Sequence, residues 1–347
     1  MTRSNRARRL FQIAGRTPDN CEGIHVNTKL CRIALVGAGS MIAEHAKVFA
    51  SLPNVELVGI ANRTKAKAQV IANNWNIPIV SDDVDEMLVS TRPDLVVMAV
   101  YEPAIFEVAT RILAHPVDVF MEKPIGLNLE EARALHGQVK SSGRRAWVGL
   151  NRRALGSTLT ALADLSANPG PRFIYVQDQQ SLEAARAIGH NLAVVDNWMY
   201  ANSIHLVDYL MTFGRGGVTD VKILQPWKAG ESGVVVAHIS FASGDRGIYQ
   251  AVWNGPGPWA CTVSAPHRRW EMRPLEKAIF QNAGERSLNE VQATEADLQF
   301  KPGFRVQAEQ VVGAWRGENT GAATIDDALA TTELVAKIYD LGDEVTR

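Results

Sequence analysis

Between Cys31 and Gly149 the chain alternates short, almost wholly apolar runs with stretches of helical spacing, and that alternation leaves few folds open. The runs are Cys31–Val36, Val55–Ile60, Leu95–Ala99, Val117–Met121 and Ala146–Gly149, with a weaker one at Pro78–Val80. Rich in Val and Ile, they read as strands covered on both faces. Between them, Met41–Leu52, Lys65–Asn74, Val84–Ser90, Ala104–Leu113 and Leu129–Val139 have helical periodicity, with Ser40, Thr64, Asp82-Asp83 and Asn128 as start signals. Strand–helix alternation predicts right-handed βαβ units and a doubly wound parallel sheet, a Rossmann domain over residues 29–150.

After about Asn151 the rhythm changes. Arg152–Leu165 reads as a helix, followed by candidate strands Phe173–Gln177, Val218–Leu224, Val234–Phe241, Gly247–Trp253 and Trp259–Ser264. In Val234–Phe241 the apolar residues Val235, Ala237, Ile239 and Phe241 share one face, the period-two pattern of a sheet with one exposed side. Helical segments at Phe304–Trp315 and Ile325–Leu341 close the chain. The prediction is an α/β protein with a second, α+β domain over residues 151–347, built on an open, mostly antiparallel sheet. A length of 347 residues accommodates two domains.

Composition narrows the function classes. Apolar residues make up 46% and charged residues 21%, with a formal net charge of −1, so nothing points to a nucleic-acid partner. No apolar run is long enough to span a membrane. Cys21, Cys31 and Cys261 form neither a disulfide framework nor a metal-ligand set, which suits the reducing cytoplasm. Near the start, Arg6 to Arg9 precede Leu10-Phe11, but Gln12, Arg16, Asp19 and Asn20 interrupt the apolar stretch that an export signal needs. Residues 1–28 are therefore expected to be a loose extension, and a true start further along the chain stays open.

The first strand runs into Gly37-Ala38-Gly39-Ser40-Met41-Ile42, which opens a helix. Gly37 permits a tight turn and Gly39 lets the backbone approach a pyrophosphate. The unpaired N–H groups at Ser40 and Met41 supply a partial positive charge. The second strand ends in Asn62-Arg63, with no carboxylate to bind a ribose 2′-hydroxyl, so NADP is favoured over NAD. Tyr101, after the fourth strand, borders the same crevice. Glu122-Lys123-Pro124 ends the fifth strand, where a parallel sheet presents ligands. Partial burial beside a nicotinamide ring would lower the Lys123 pKa and help proton exchange.

Gly37-x-Gly39, Glu122-Lys123-Pro124 on strand five, Gly149-Leu150-Asn151-Arg152-Arg153, and Ser203-Ile204-His205-Leu206-Val207-Asp208 together resemble the glucose–fructose oxidoreductase/inositol dehydrogenase (Gfo/Idh/MocA) family over roughly residues 30–345. The resemblance implies hydride exchange at a carbinol carbon of a sugar, polyol or nucleotide-linked sugar, with a place in surface-polysaccharide metabolism among the options. It implies Lys123 as the catalytic lysine, His205 as the acid/base, and assembly into homodimers or homotetramers. Two positions depart from the pattern: Ile42 stands where glycine or alanine is usual, and Ala201 stands where the family often has aspartate.

The segment around His205 is dense in polar and aromatic groups. Trp198, Tyr200, Asn202 and Asp208, with Asn151 and Arg153, are the candidate carbohydrate contacts, and Arg152 or Arg153 could bind an anionic group such as a carboxylate or phosphate. A helix over Ser203–Leu210 would set His205 and Asp208 one turn apart. Two other readings remain open: an enzyme that uses transient oxidation for elimination or glycosidic cleavage, and a non-catalytic dinucleotide-binding protein. No metal site is expected.

Overall fold

The computed structural model describes residues 29–228 and 233–341; the expected N-terminal extension lies outside them, as does Cys21. In the first half, strands β1 (Cys31–Val36), β2 (Val55–Ala61), β3 (Ile79–Ser81), β4 (Leu95–Met98), β5 (Asp118–Met121) and β6 (Ala146–Val148) alternate with helices. The helices are α1 (Ser40–Ala50), α2 (Lys65–Trp75), α3 (Val84–Thr91), α4 (Ile105–Leu113) and α5 (Leu129–Ser142). The strands form one parallel sheet in the order β3-β2-β1-β4-β5-β6, the doubly wound arrangement that the sequence predicts. Asp83 and Asn128 act as caps, each side chain accepting a backbone N–H three residues on. Thr64 caps α2 without a side-chain bond, and Ser40 lies inside α1, with Gly39 as its cap.

The second sheet holds β7 (Phe173–Gln180), β8 (Val218–Gln225), β9 (Gly233–Phe241), β10 (Arg246–Trp253), β11 (Ala260–Ser264), β12 (Arg268–Met272), β13 (Ala278–Asn282) and β14 (Asn289–Val291). Its order is β14-β13-β12-β11-β7-β10-β9-β8, antiparallel except where β7 meets β10. On β9 the inward residues are Val235, Ala237, Ile239 and Phe241, as the alternation predicts. Strands β12–β14 escape the sequence reading because they are short and polar residues dilute their pattern: on β12 Trp270 and Met272 are buried while Arg269 and Glu271 face outward.

The remaining helices are α6 (Gly156–Ala167), α7 (Leu182–Ala187), α8 (Leu192–Asp196), α9 (Ile204–Phe213), α10 (Glu295–Gln299), α11 (Phe304–Trp315) and α12 (Ile325–Ile338). The helix expected over Arg152–Leu165 is instead a 3₁₀ turn, Asn151–Ala154, and α6, separated by extended Leu155. Tertiary contacts favour the break: the Gly156 N–H donates to Asp297 Oδ2 at 2.8 Å, and Leu155 is fully buried. Similarly, the segment before α9 is a wide π turn, Met199–Ser203. The last helix ends at Ile338, short of the expected Leu341.

The two sheets share a core. Val96, Met98 and Met121 of the first belong to the same buried cluster as Leu206 and Leu210 of α9 and Tyr249 and Trp253 of β10. The chain then returns to the first sheet, where α11 places Phe304, Ala308, Val311 and Val312 in the core with Ile33, Leu35 and Phe49. Among the described residues no helix is long and apolar enough to cross a membrane. Phe304→Ala should cost about 3–5 kcal/mol, the usual range for truncating a buried aromatic. Urea denaturation measures this, and an unchanged midpoint would show that α11 is not held through Phe304.

Candidate active site

The loop after β1 sits where the strand order reverses, between β1 and β4, at the carboxyl ends of both. Gly37 has φ of +113°, and a Cβ there would lie 2.1 Å from the Ala99 carbonyl oxygen, so no side chain can be tolerated. A Cβ on Gly39 would meet nothing within 4 Å, leaving open room above the first turn of α1. No side chain caps that turn, so its N–H groups stay available to an anion. These features suit the pyrophosphate of a dinucleotide. Ile42 points the other way and is fully buried in the core beside Leu35 and Ile60. At the end of β2, Asn62 donates to the Thr64 carbonyl at 3.0 Å, and Arg63 is exposed. Tyr101 is exposed beside the 3₁₀ turn Glu102–Ala104.

Glu122 follows β5. Its carboxylate meets His45 Nε2 of α1 at 2.8 Å and presses on Gly149, where a Cβ would lie 2.8 Å from Oε2. Burial opposes its ionisation, but the His45 hydrogen bond and the positive charges of Lys123 and Lys301 hold its pKa below the usual range. Lys123 reaches across to the second half of the chain, where its Nζ donates to the Ala201 carbonyl oxygen at 2.7 Å. Burial lowers its pKa, against the opposing pull of Glu122 and Glu102. Ala201 thus serves Lys123 through its backbone, where a carboxylate side chain is absent.

His205 stands in the first turn of α9, 8% exposed, with its Nδ1 buried and unpartnered. Burial, then the positive charges of Lys123, Arg152 and Lys301, keep its pKa well below the ordinary imidazole value. The indole of Trp259 lies 6.1 Å from its ring centre to centre. Arg152 pairs with Glu276 at 2.7 Å through Nη1, while its Nε is buried without a partner. Lys301 sets its Nζ 3.3 Å from Met41 Sδ at the phosphate loop. The structure therefore gathers Lys123, Arg152 and Lys301 near enough to act on His205, with Lys301 reaching Met41 two residues beyond Gly39.

Other candidate contacts are spent internally. Arg153 forms a two-pronged ion pair with Asp208, Nε to Oδ2 at 2.7 Å and Nη2 to Oδ1 at 2.5 Å. Asp208 also accepts from the Thr331 hydroxyl at 2.8 Å and is 1% exposed. So engaged, Arg153 and Asp208 fix α9 and do not face a substrate. Asn151 donates to the Pro302 carbonyl at 3.2 Å, and Tyr200 is a core aromatic whose hydroxyl is pushed up to about 12 by burial. Trp198 and Asn202 both donate to Gln180 Oε1 at 2.8 Å.

Gln180 belongs to a buried chain that the sequence reading missed. Gln180 donates to Asp178, as does Tyr249; Tyr249 bonds to Tyr339, which donates to Ser203. Polar residues at positions 178 and 180, on the inward face that Ile174 and Val176 begin, were the available signal. Lys301, Glu276 and Trp259 offered none, because each sits in a short connection between elements that only the folded chain carries to the site. Among the described residues no group of His, Cys, Asp or Glu side chains is placed to hold a metal ion.

Residues 31–150 match the model of an oxidoreductase family with an NAD-binding Rossmann fold, Gfo/Idh/MocA. Over those residues the chain is similar to that family. On that likeness it is an oxidoreductase, with the NAD-binding type of Rossmann fold over residues 31–150. It is 24% identical to scyllo-inositol 2-dehydrogenase (NAD(+)) of Bacillus subtilis, over 65% of this chain and 68% of that one. Inositol 2-dehydrogenase of Rhizobium meliloti is 30% identical, over 35% of this chain and about a third of its own length (36%). A dehydrogenase structure from Chromobacterium violaceum superposes with a TM-score of 0.78 at 20% identity, covering 90% of this chain and 95% of that one, and so shares the fold.

Gly39→Val would push a side chain into the open space above α1, where its Cβ meets no protein atom within 4 Å. Dinucleotide affinity should fall by about tenfold or more, as expected when charge-assisted bonds to a phosphate are lost. Fluorescence titration measures it, with circular dichroism unchanged. Asp208→Ala should cost about 3–5 kcal/mol by stranding Arg153; a loss under about 1 kcal/mol, the range of an exposed pair, would show the pair to be peripheral.

Proposed function

We propose that this protein is a nicotinamide-dependent dehydrogenase or reductase acting on a carbinol or keto carbon of a sugar, polyol or nucleotide-linked sugar. The bond from Lys123 Nζ to the Ala201 carbonyl carries the reading, because it ties a half-buried lysine to the turn that leads into the helix of buried His205. Gly37, Gly39, Ser40 and Met41 would hold the dinucleotide phosphates, Asn62 and Arg63 the adenosine ribose, and Tyr101 and Glu122 the neighbouring walls. Bound there, the nicotinamide supplies the acceptor or donor of hydride. Exposed Arg63, with no carboxylate at the end of β2, supports NADP over NAD; separate titrations with the two dinucleotides test the preference.

In the oxidising direction, His205 takes the hydroxyl proton as the carbon is oxidised. Its low pKa keeps it neutral and ready as a base. Lys123 donates a hydrogen bond to the same oxygen and stabilises the developing alkoxide. General acid–base help of this kind contributes about 10²–10⁴-fold. With their nitrogens engaged by Gln180 and the Gln179 carbonyl, Trp198, Asn202 and Trp259 would offer the sugar ring faces and the Asn202 amide oxygen. The names of the inositol dehydrogenases it resembles support a polyhydroxylated ring. The outer face of the second sheet, with Tyr175, Ile248 and Thr262 half-buried, is the surface we assign to homodimer or homotetramer assembly, which sedimentation would detect. The buried free thiols of Cys31 and Cys261 support a cytoplasmic setting.

Lys123→Ala should abolish turnover while leaving dinucleotide binding measurable; full activity in that variant would refute the assignment. The pH profile offers a second check. A base with a depressed pKa stays competent as pH falls, so the acid limb of kcat/KM for oxidation should lie below the ordinary imidazole value of about 6.5. Lys301→Met removes one of the cations that depress it and should move that limb toward higher pH. A limb at or above about 6.5 in the unaltered enzyme would exclude His205 as the base.

A further inference from the structure

The charges that bear on His205 are those of Lys123, Arg152 and Lys301, all positive. The carboxylates of the same region are occupied or turned to other groups. Glu122 is held by His45, Glu276 takes Nη1 of Arg152, and half-buried Glu102 acts on Lys123. Lys301 lays its ammonium against Met41 Sδ and 5.1 Å over the Phe304 ring, and neither contact cancels its charge. Two buried polar atoms of the pocket, Arg152 Nε and His205 Nδ1, have no protein partner. Buried donors and charges without partners are costly, so a site built this way is completed by what it binds.

We propose that the substrate is a sugar acid, with its carboxylate against the Nε edge of Arg152 and its reacting hydroxyl between Lys123 and His205. Glu276 already takes one edge of the guanidinium, and the remaining edge matches the two coplanar oxygens of a carboxylate. Lys301 adds to the attraction, and an oxidised nicotinamide ring would add a further positive charge beside the same pocket. Arg152 was one of two arginines that the sequence offered for an anion; the Arg153–Asp208 pair leaves Arg152 as the one that faces the site. This inference rests on the dehydrogenase reading only for the placement of the hydroxyl.

The test is calorimetric titration of the dinucleotide-saturated protein with matched pairs that differ by one carboxylate: glucuronate and glucose, galacturonate and galactose, gluconate and glucitol. Glucose 6-phosphate is added to separate a carboxylate site from a phosphate site. In at least one pair the acid should bind about tenfold or more tighter, the usual worth of a hydrogen bond to a charged group. Arg152→Gln should erase that preference and Arg152→Lys should keep part of it, with circular dichroism checking that both variants fold. Equal binding within every pair, no acid binding at all, a preference for the phosphate, or a preference that survives Arg152→Gln would overturn the proposal. Nicotinamide absorbance separates the two readings. Turnover of neutral sugars without acid preference sinks only the sugar-acid site, whereas tight acid binding without redox change in either direction sinks only the dehydrogenase.

Discussion

A carboxylate placed inside a protein must be given partners, and Glu122 shows what that demand organises. It sits at the end of β5 with His45 of α1 on one side and the bare backbone of Gly149 on the other. His45 is in turn stacked on Phe304 at 4.7 Å between ring centres, which brings α11 from the far end of the chain onto the first sheet. A single buried group therefore ties together β5, the phosphate-loop helix, the exit of β6 and the C-terminal return. The next residue in the chain is Lys123, so the constraint that holds Glu122 also aims the lysine.

The other side of the crevice is held by a different kind of contact. The Arg153–Asp208 ion pair, bridged to Thr331 of α12, locks the turn after β6 to α9. Behind the π turn, Asp178 is fully enclosed and its pKa is pushed up to about 6 by burial, against the bonds from Tyr249, Ser203 and Gln180. That chain of bonds supports the turn from which the Ala201 carbonyl receives Lys123. Asn202 and Trp198 hang from the same Gln180. Both halves of the site are thus braced by internal hydrogen bonds and ion pairs, the kind of support that alignment of a hydride transfer requires.

The parallel sheet was legible because its strands are buried on both faces and read as unbroken apolar runs, with glycine marking a turn that must be bare. Gly37 could be named from sequence because a strand turning sharply into a helix leaves no room for a side chain. Lys123 and His205 stood out by motif. The fate of Arg153 and Asp208 could not be seen: both are polar residues near the motifs, and only their 2.5 Å approach shows that they satisfy each other. The helix expected across Leu155 failed because helical periodicity carries no record of Asp297, whose carboxylate takes the Gly156 N–H from far along the chain.

Strand, helix, tight turn and glycine loop are matters of neighbours in sequence, where sterics and periodicity act within a few residues, and so the Rossmann half and the bare turn after its first strand followed from the order of residues. The charge around His205 is not of that kind. Lys123, Arg152, Lys301 and Glu276 come from separate segments and meet only when the second sheet docks on the first. Coulomb forces and desolvation depend on distance in space, so the folded chain alone decided which cations face the pocket and which are already paired.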